Sequence, residues 1–126
     1  MDKKKVLLVD DEKDFLILMR KIVSSWGYEI LTASCADEAL EILKYGSPDA
    51  LIVDYLMPDT DGIELLRKIR SKGYAIPAIM FTAKPTIKTI EAAKGLNIVA
   101  FIPKITQSSD NLEDLRVTLS LICKRG

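Results

Sequence analysis

Residues 51–66 read LIVDYLMPDTDGIELL, and this stretch decides the fold. A short apolar run, Ala50–Val53, ends in an acid, Asp54. A turn region follows, with Pro58 and the pair Asp61-Gly62. Helical spacing then begins at Leu65, Leu66 and Ile69. The same unit recurs along the chain. Other short apolar runs lie at Val6–Val9, Ile30–Ala33, Ala78–Phe81 and Ile98–Ile102. Between them, Phe15, Leu18, Met19, Ile22, Val23 and Trp26 follow one helical stripe. Ala39, Leu40 and Leu43 follow a second, and Leu112, Leu115, Leu119 and Ile122 a last one. The region from Pro85 to Gly95 carries the weakest helical pattern.

Strands that are apolar without alternation are buried on both faces, so the sheet is parallel and covered by helices on each side. The expected architecture is a doubly wound (βα)5 α/β fold. Punctuation agrees: Gly27, Gly46, Gly73 and Gly95 each follow a helical stretch, where a left-handed residue is wanted. Asp110 with Glu113 has the spacing of a capping box for the last helix, and Pro85 suits the first turn of the fourth. Right-handed crossovers place all C-terminal strand ends on one edge, where ligands bind in such folds.

Composition excludes several functions. The 126 residues suit one domain, 1–126, and 48% are hydrophobic, enough for a core. Formal charge is zero, from 18 basic and 18 acidic residues, so there is no basic excess of the kind that marks a nucleic-acid surface. The chain has no His, the commonest transition-metal ligand. Its two cysteines, Cys35 and Cys123, read as reduced thiols of a cytoplasmic protein. No apolar run approaches the ~20 residues of a membrane span. The four apolar residues after Lys5 are too few for a signal-peptide core.

The expected strand-end edge collects the acidic run Asp10-Asp11-Glu12, then Asp54, Thr82 with Ala83, and Lys104. Two carboxylates ~4 Å apart repel by about 4 kcal/mol at an effective dielectric near 20. Three acids therefore need a cation. Lys104 offsets one charge, and a hard divalent ion with oxygen ligands, Mg²⁺, offsets the rest. A carboxylate in such a pocket is a nucleophile towards phosphorus, with Lys104 and Thr82 of the right types to receive phosphoryl oxygens. Simpler roles exist for each residue. Asp10 and Asp11 suit a helix cap, Asp54 a turn before Pro58, Lys104 a solvated surface and Lys84 likewise; Asp59 and Asp61 read as turn or cap residues.

VLLVDDEKD (6–14), LIVDYLMPDTDGIELL (51–66), IMFTA (79–83) and FIPK (101–104) together resemble the receiver domain of two-component response regulators, over nearly the whole chain. The resemblance implies a three-layer flavodoxin-like fold with strand order 2-1-3-4-5. It implies Asp54 as phospho-acceptor and Asp10, Asp11, Asp54 and the Leu56 backbone carbonyl as Mg²⁺ ligands. Thr82 and Phe101 are the implied switch, and Lys104 the implied partner of the phosphoryl group. The implied donor is a sensor histidine kinase or a histidine phosphotransfer protein. Where the family usually has proline after the lysine, this chain has Ile105, so a trans Lys104-Ile105 bond or an altered loop is expected. The chain is then a signalling switch, either a stand-alone shuttle or part of a longer regulator. The rival is a small Mg²⁺ phosphohydrolase working through an aspartyl phosphate. A further alternative is an interaction module that takes no phosphate. Val117 and Leu121, opposite the core stripe of the last helix, are candidates for a partner face or a phosphorylation-dependent homodimer.

Overall fold

A computed structural model describes residues 3–82, 85–104 and 109–123. Five strands and five helices alternate: β1 (Lys5–Val9), α1 (Lys13–Ser25), β2 (Glu29–Ala33), α2 (Ala36–Tyr45), β3 (Ala50–Asp54), α3 (Gly62–Ser71), β4 (Ala78–Phe81), α4 (Ile87–Ala92), β5 (Ile98–Ile102) and α5 (Ser109–Cys123). All strand pairs are parallel, in the order β2-β1-β3-β4-β5. The five apolar runs became the five strands, two of them extended by one residue at the start and one, β3, by Asp54 at its end.

Alternation along each strand builds two cores. Leu7, Val9, Leu51, Val53, Ala78 and Met80 face α2 and α3, where they meet Leu43, Leu65, Leu66 and Ile69. Val6, Leu8, Ala50, Ile52, Ile79 and Phe81 face α1 and α5, where they meet Met19, Val23, Leu115 and Leu119. Residues of both sets are buried, which is why the strands show no polar alternation. The β4–β5 ladder is irregular: Ala78 pairs with Ile98 but Ile79 pairs with Ala100, leaving Val99 unopposed. This bulge puts Ile98 and Phe101 on the α3 side and Ala100 and Ile102 on the other.

The lower ends of β4 and β5 are tied by Arg70 of α3. Its guanidinium donates to the carbonyls of Leu96 (2.8 Å), Tyr74 (3.0 Å) and Asn97 (3.5 Å). Burial of this group lowers its pKa. Asn97 itself has a φ of 55° and donates to Ala75 O at 3.2 Å.

Four local expectations are corrected. Gly46 has a φ of 168°, extended backbone rather than the left-handed region, whereas Gly27, Gly73 and Gly95 do have positive φ. Pro85 lies outside α4; the cap is Thr86, whose Oγ1 accepts from Thr89 N at 3.1 Å. Asp110 lies inside the first turn of α5, and Glu113 pairs with Arg116 instead of closing a capping box. In α1, Leu18 is 42% exposed and Leu16 is buried in its place. Asp61 does cap, accepting from Glu64 N at 2.8 Å.

One glycine sets the distance between β3 and α3. A Cβ on Gly62 would lie 2.7 Å from the backbone oxygen of Asp54 and 3.0 Å from Met80 Cε. Gly62 N also donates to Tyr55 O at 2.8 Å, so the helix start cannot retreat without losing that bond. Gly62→Ala is expected to destabilise the fold by roughly 1–3 kcal/mol through this backbone overlap, a loss that chemical denaturation will measure. Gly46→Ala, with open space around it, is the control expected to be near neutral.

Candidate functional site

β1 and β3 are neighbours, with Val9 opposite Val53, so the residues that follow them share one edge. Asp10 follows β1, and Asp54 is the last residue of β3. Asp10 is fully buried and Asp54 is 6% exposed. Asp10, Asp11 and Asp54 can each offer a carboxylate oxygen within 4.8 Å of the others. The turn after β1 is fastened by Asp10 N donating to Ala33 O (3.0 Å) and by Asp10 Oδ1 accepting from Glu12 N (2.9 Å). Asp10 therefore does part of the turn work that its simpler reading offered, while its carboxylate still faces the cluster.

Lys104 crosses from the loop after β5 into this group. Its Nζ lies 2.8 Å from Asp10 Oδ2, 3.0 Å from Asp10 Oδ1, 2.6 Å from Glu12 Oε1 and 3.4 Å from Asp54 Oδ2. The ammonium is aligned as a donor to Oδ1; Oδ2 of Asp10 is buried and has no hydrogen-bond donor. A buried carboxylate oxygen with charge nearby but no donor calls for a further cation. Hard oxygen donors, several of them anionic, suit Mg²⁺.

The charge imbalance appears in the acidities. Burial, then the charge of Asp10, pushes the Asp54 carboxyl up to about 6, against the opposing pull of Lys104 and the Leu56 backbone N–H. Burial likewise raises Asp10, opposed by hydrogen bonds from Lys104 and the Glu12 N–H. For Lys104, burial acts downwards but is outweighed by the hydrogen bonds to Asp10 and Glu12 and by the charges of Asp10 and Asp54, so its pKa rises.

Thr82 follows β4, half-buried, with its N donating to Ile102 O at 3.1 Å; the preceding Phe81 is opposite Asp54 in the β3–β4 ladder. Phe101 sits in β5 opposite Met80, half-buried on the α3 side. Leu56 turns its side chain to solvent and its N–H towards Asp54. Ala83, Lys84 and the Lys104-Ile105 bond lie outside the described residues. Val117 and Leu121 are on the exposed side of α5, 45% and 71% exposed.

Two residues of the site, Phe15 and Gly62, are not marked as such by the sequence, and a third, Glu12, has a partner that the sequence does not name. Glu12 stands in the expected acidic run at the strand ends, and its partner lies across the fold in Lys104. Phe15 read only as a core position of α1, yet its ring centroid lies 4.6 Å from Lys104 Nζ. Gly62 reads in the sequence only as part of the Asp-Gly turn, although the close approach to Asp54 requires it. Glycine beside an acid-bearing strand end was the one signal available from the residues alone.

The sequence profile of the response regulator receiver domain matches residues 6–116. The chain belongs to that family. As a receiver domain it is a module of two-component response regulators, and its fold is the family's. PhoP of Bacillus subtilis, an alkaline phosphatase synthesis transcriptional regulatory protein, is 37% identical over 81 residues, 64% of this chain and 34% of that protein. Response regulator MprA of Mycobacterium leprae is 33% identical over 117 residues, 91% of this chain and 50% of that protein. The receiver domain thus spans a third to half of the length of these curated relatives. A CheY-like receiver domain protein from Methanospirillum hungatei superposes with a TM-score of 0.83 at 27% identity, covering 99% of this chain and 100% of that one. Response regulator TrrA of Thermotoga maritima, solved in complex with Mg²⁺-BeF, gives a TM-score of 0.79 at 28% identity, covering 94% and 98%.

The raised pKa of Asp54 has a stability consequence. A carboxyl at 3.8 when unfolded and about 6 when folded binds its proton more tightly in the fold. Its contribution therefore falls as pH rises from about 4 to about 6. Above that window the ionised Asp54 costs on the order of 1–3 kcal/mol. Asp54→Asn is expected to melt higher than wild type at pH 7.5 in chelator, with the gap closing towards pH 4. Added Mg²⁺ is expected to raise wild type more than Asp54→Asn in the same melting series.

Proposed function

We propose that residues 1–126 act as one phosphoryl-accepting switch in two-component signalling, with Asp54 as the acceptor. The observation that carries this reading is the Asp54 carboxylate, at a strand end beside Asp10 and Asp11 and 3.4 Å from the Lys104 ammonium. The donor is a phosphohistidine on a sensor histidine kinase or a histidine phosphotransfer protein. An Asp54 oxygen forms the new bond to phosphorus while the P–N bond breaks. The electron pair of that bond stays on the imidazole, which takes a proton from solvent. The product is an acyl phosphate on Asp54, later hydrolysed by water.

Asp10, Asp11, Asp54 and the Leu56 carbonyl would hold Mg²⁺, which when bound neutralises the carboxylates and the phosphoryl oxygens. Lys104 supplies a fixed positive charge where phosphoryl charge accumulates. The Thr82 hydroxyl receives another phosphoryl oxygen, and Phe101 on the neighbouring strand changes rotamer with it. We read the chain as a switch rather than a phosphohydrolase; catalytic release of phosphate from a generic ester would favour the enzyme.

Two features support the remaining roles. Cys35 and Cys123 remain thiols, in keeping with a cytoplasmic location, and none of the described helices is long and apolar enough to cross a membrane. Val117 and Leu121 are both exposed on the side of α5 away from its core stripe. This surface is the proposed contact of a phosphorylation-dependent homodimer. Direct nucleic-acid binding is not proposed for a domain of zero formal charge.

Incubation with Mg²⁺ and acetyl phosphate is expected to add one phosphoryl group, read by intact mass. Asp54→Asn should abolish the adduct, and Lys104→Met should slow it on the order of 10²-fold. Labelling that survives Asp54→Asn would overturn the assignment. In sedimentation, wild type with beryllofluoride is expected to self-associate and Val117→Glu to stay monomeric.

A further inference from the structure

The ammonium of Lys104 has a fourth neighbour besides its three carboxylate residues. The Phe15 ring lies under it, 4.6 Å from Nζ to the centroid. Lysine carries its charge on a flexible four-carbon stem with many rotamers, so acids alone do not fix where it stands. Glu12, moreover, is mostly in solvent and holds Nζ at 2.6 Å, pulling it towards the rim. Asp54 is the most distant of the three acids, at 3.4 Å. Something must keep the ammonium over the pocket rather than out with Glu12.

The ring is well placed to do so. Its electron-rich face attracts a cation, and more strongly where water is scarce; the Lys104 side chain is 19% exposed. The ring is itself held. Phe81 meets it edge-on, with centroids 5.6 Å apart and planes at 81°. Phe81 is buried in β4, stands opposite Asp54 in the ladder, and accepts from Tyr55 N at 2.9 Å through its carbonyl. A chain of contacts thus runs from Lys104 through Phe15 and Phe81 to the backbone that carries Asp54. The first turn of α1, which follows Asp10, Asp11 and Glu12, supplies the ring.

We propose that Phe15 is a positioning residue for phosphoryl transfer, holding the Lys104 ammonium over the Asp54 carboxylate through its ring face. This inference rests on the reading of Asp54 as acceptor. In the unphosphorylated domain the ring and the acids share the ammonium. When the acyl phosphate forms, Lys104 reaches a phosphoryl oxygen without first being recruited from solvent.

The test compares Phe15→Leu, which keeps an apolar side chain against Phe81 but lacks a π-face, with Phe15→Tyr, which keeps the ring. Rates of Asp54 labelling from acetyl phosphate at saturating Mg²⁺ are expected to fall about 3- to 10-fold in Phe15→Leu and to return towards wild type in Phe15→Tyr. In a Lys104→Met background, Phe15→Leu is expected to have no further effect, because its role runs through the ammonium. Equal rates in wild type and Phe15→Leu, or additive losses in the double variant, would overturn the inference. The Lys104 Hε proton shifts are recorded in parallel by NMR. A ring beneath the ammonium predicts upfield resonances in wild type and Phe15→Tyr that move downfield in Phe15→Leu; shifts equal in all three would also overturn it. Should wild type take no phosphate at all, the reading of Asp54 falls, and these shifts alone decide whether Phe15 holds Lys104.

Discussion

One ammonium group stands among four carboxylates at the C-terminal edge of the sheet. Asp10, Asp11, Glu12 and Asp54 supply the negative charge, and Lys104 answers it from the far end of the chain. Nothing in the hydrophobic layers favours this arrangement. Burying Asp10 completely costs several kcal/mol unless its charge is met, and Asp54 has its pKa pushed up to about 6 by its own burial and then by the charge of Asp10. The fold supports the cluster because two cores, one on each side of the sheet, leave β1 and β3 no freedom to separate. A site held in electrostatic debt is responsive, since any added cation or anion changes the balance of forces at several strand ends together.

The architecture explains how residues so far apart in sequence share a few ångströms. β1 and β3 pair directly, β4 lies on the other side of β3, and β5 follows. The order makes Asp10 and Asp54 immediate neighbours, with Thr82, just after β4, next in line. Lys104 is two strands away from β3 and depends on its length to reach in. The lower ends of β4 and β5 are locked by the Arg70 guanidinium on three carbonyls. Rigidity below and charge above are complementary: the strand bases are fixed while the pocket residues answer to their environment.

Much of this was legible because strands buried on both faces are apolar throughout, and five such runs marked the five strands to within one residue. The acids and Lys104 were legible because strand ends converge by a rule of chirality. Other details obeyed local competition. In α1, residues 15–19 are all apolar, so the spacing fits two phases, and packing chose Leu16 over Leu18. Asp110 and Glu113 have capping-box spacing, but the helix begins a residue earlier and Arg116 captures the glutamate. Thr86 took the cap that placed Pro85 outside α4, since its hydroxyl reaches Thr89 N. The contacts of Lys104 with Glu12 and Phe15 join the two ends of the chain, and no periodicity within either segment encodes them.

The bulge at Val99 bears on how such a domain tolerates change in length. Five residues of β5 run alongside four of β4. An unbulged strand would advance about 3.3 Å further and send Phe101 to the opposite side of the sheet. The extra residue therefore sets both the depth at which Lys104 enters the pocket and the layer in which Phe101 lies. Between Leu96 and Lys104, a gained or lost residue is a change of side and reach, not merely of length. A substitution in this segment keeps that count, and an insertion or deletion breaks it.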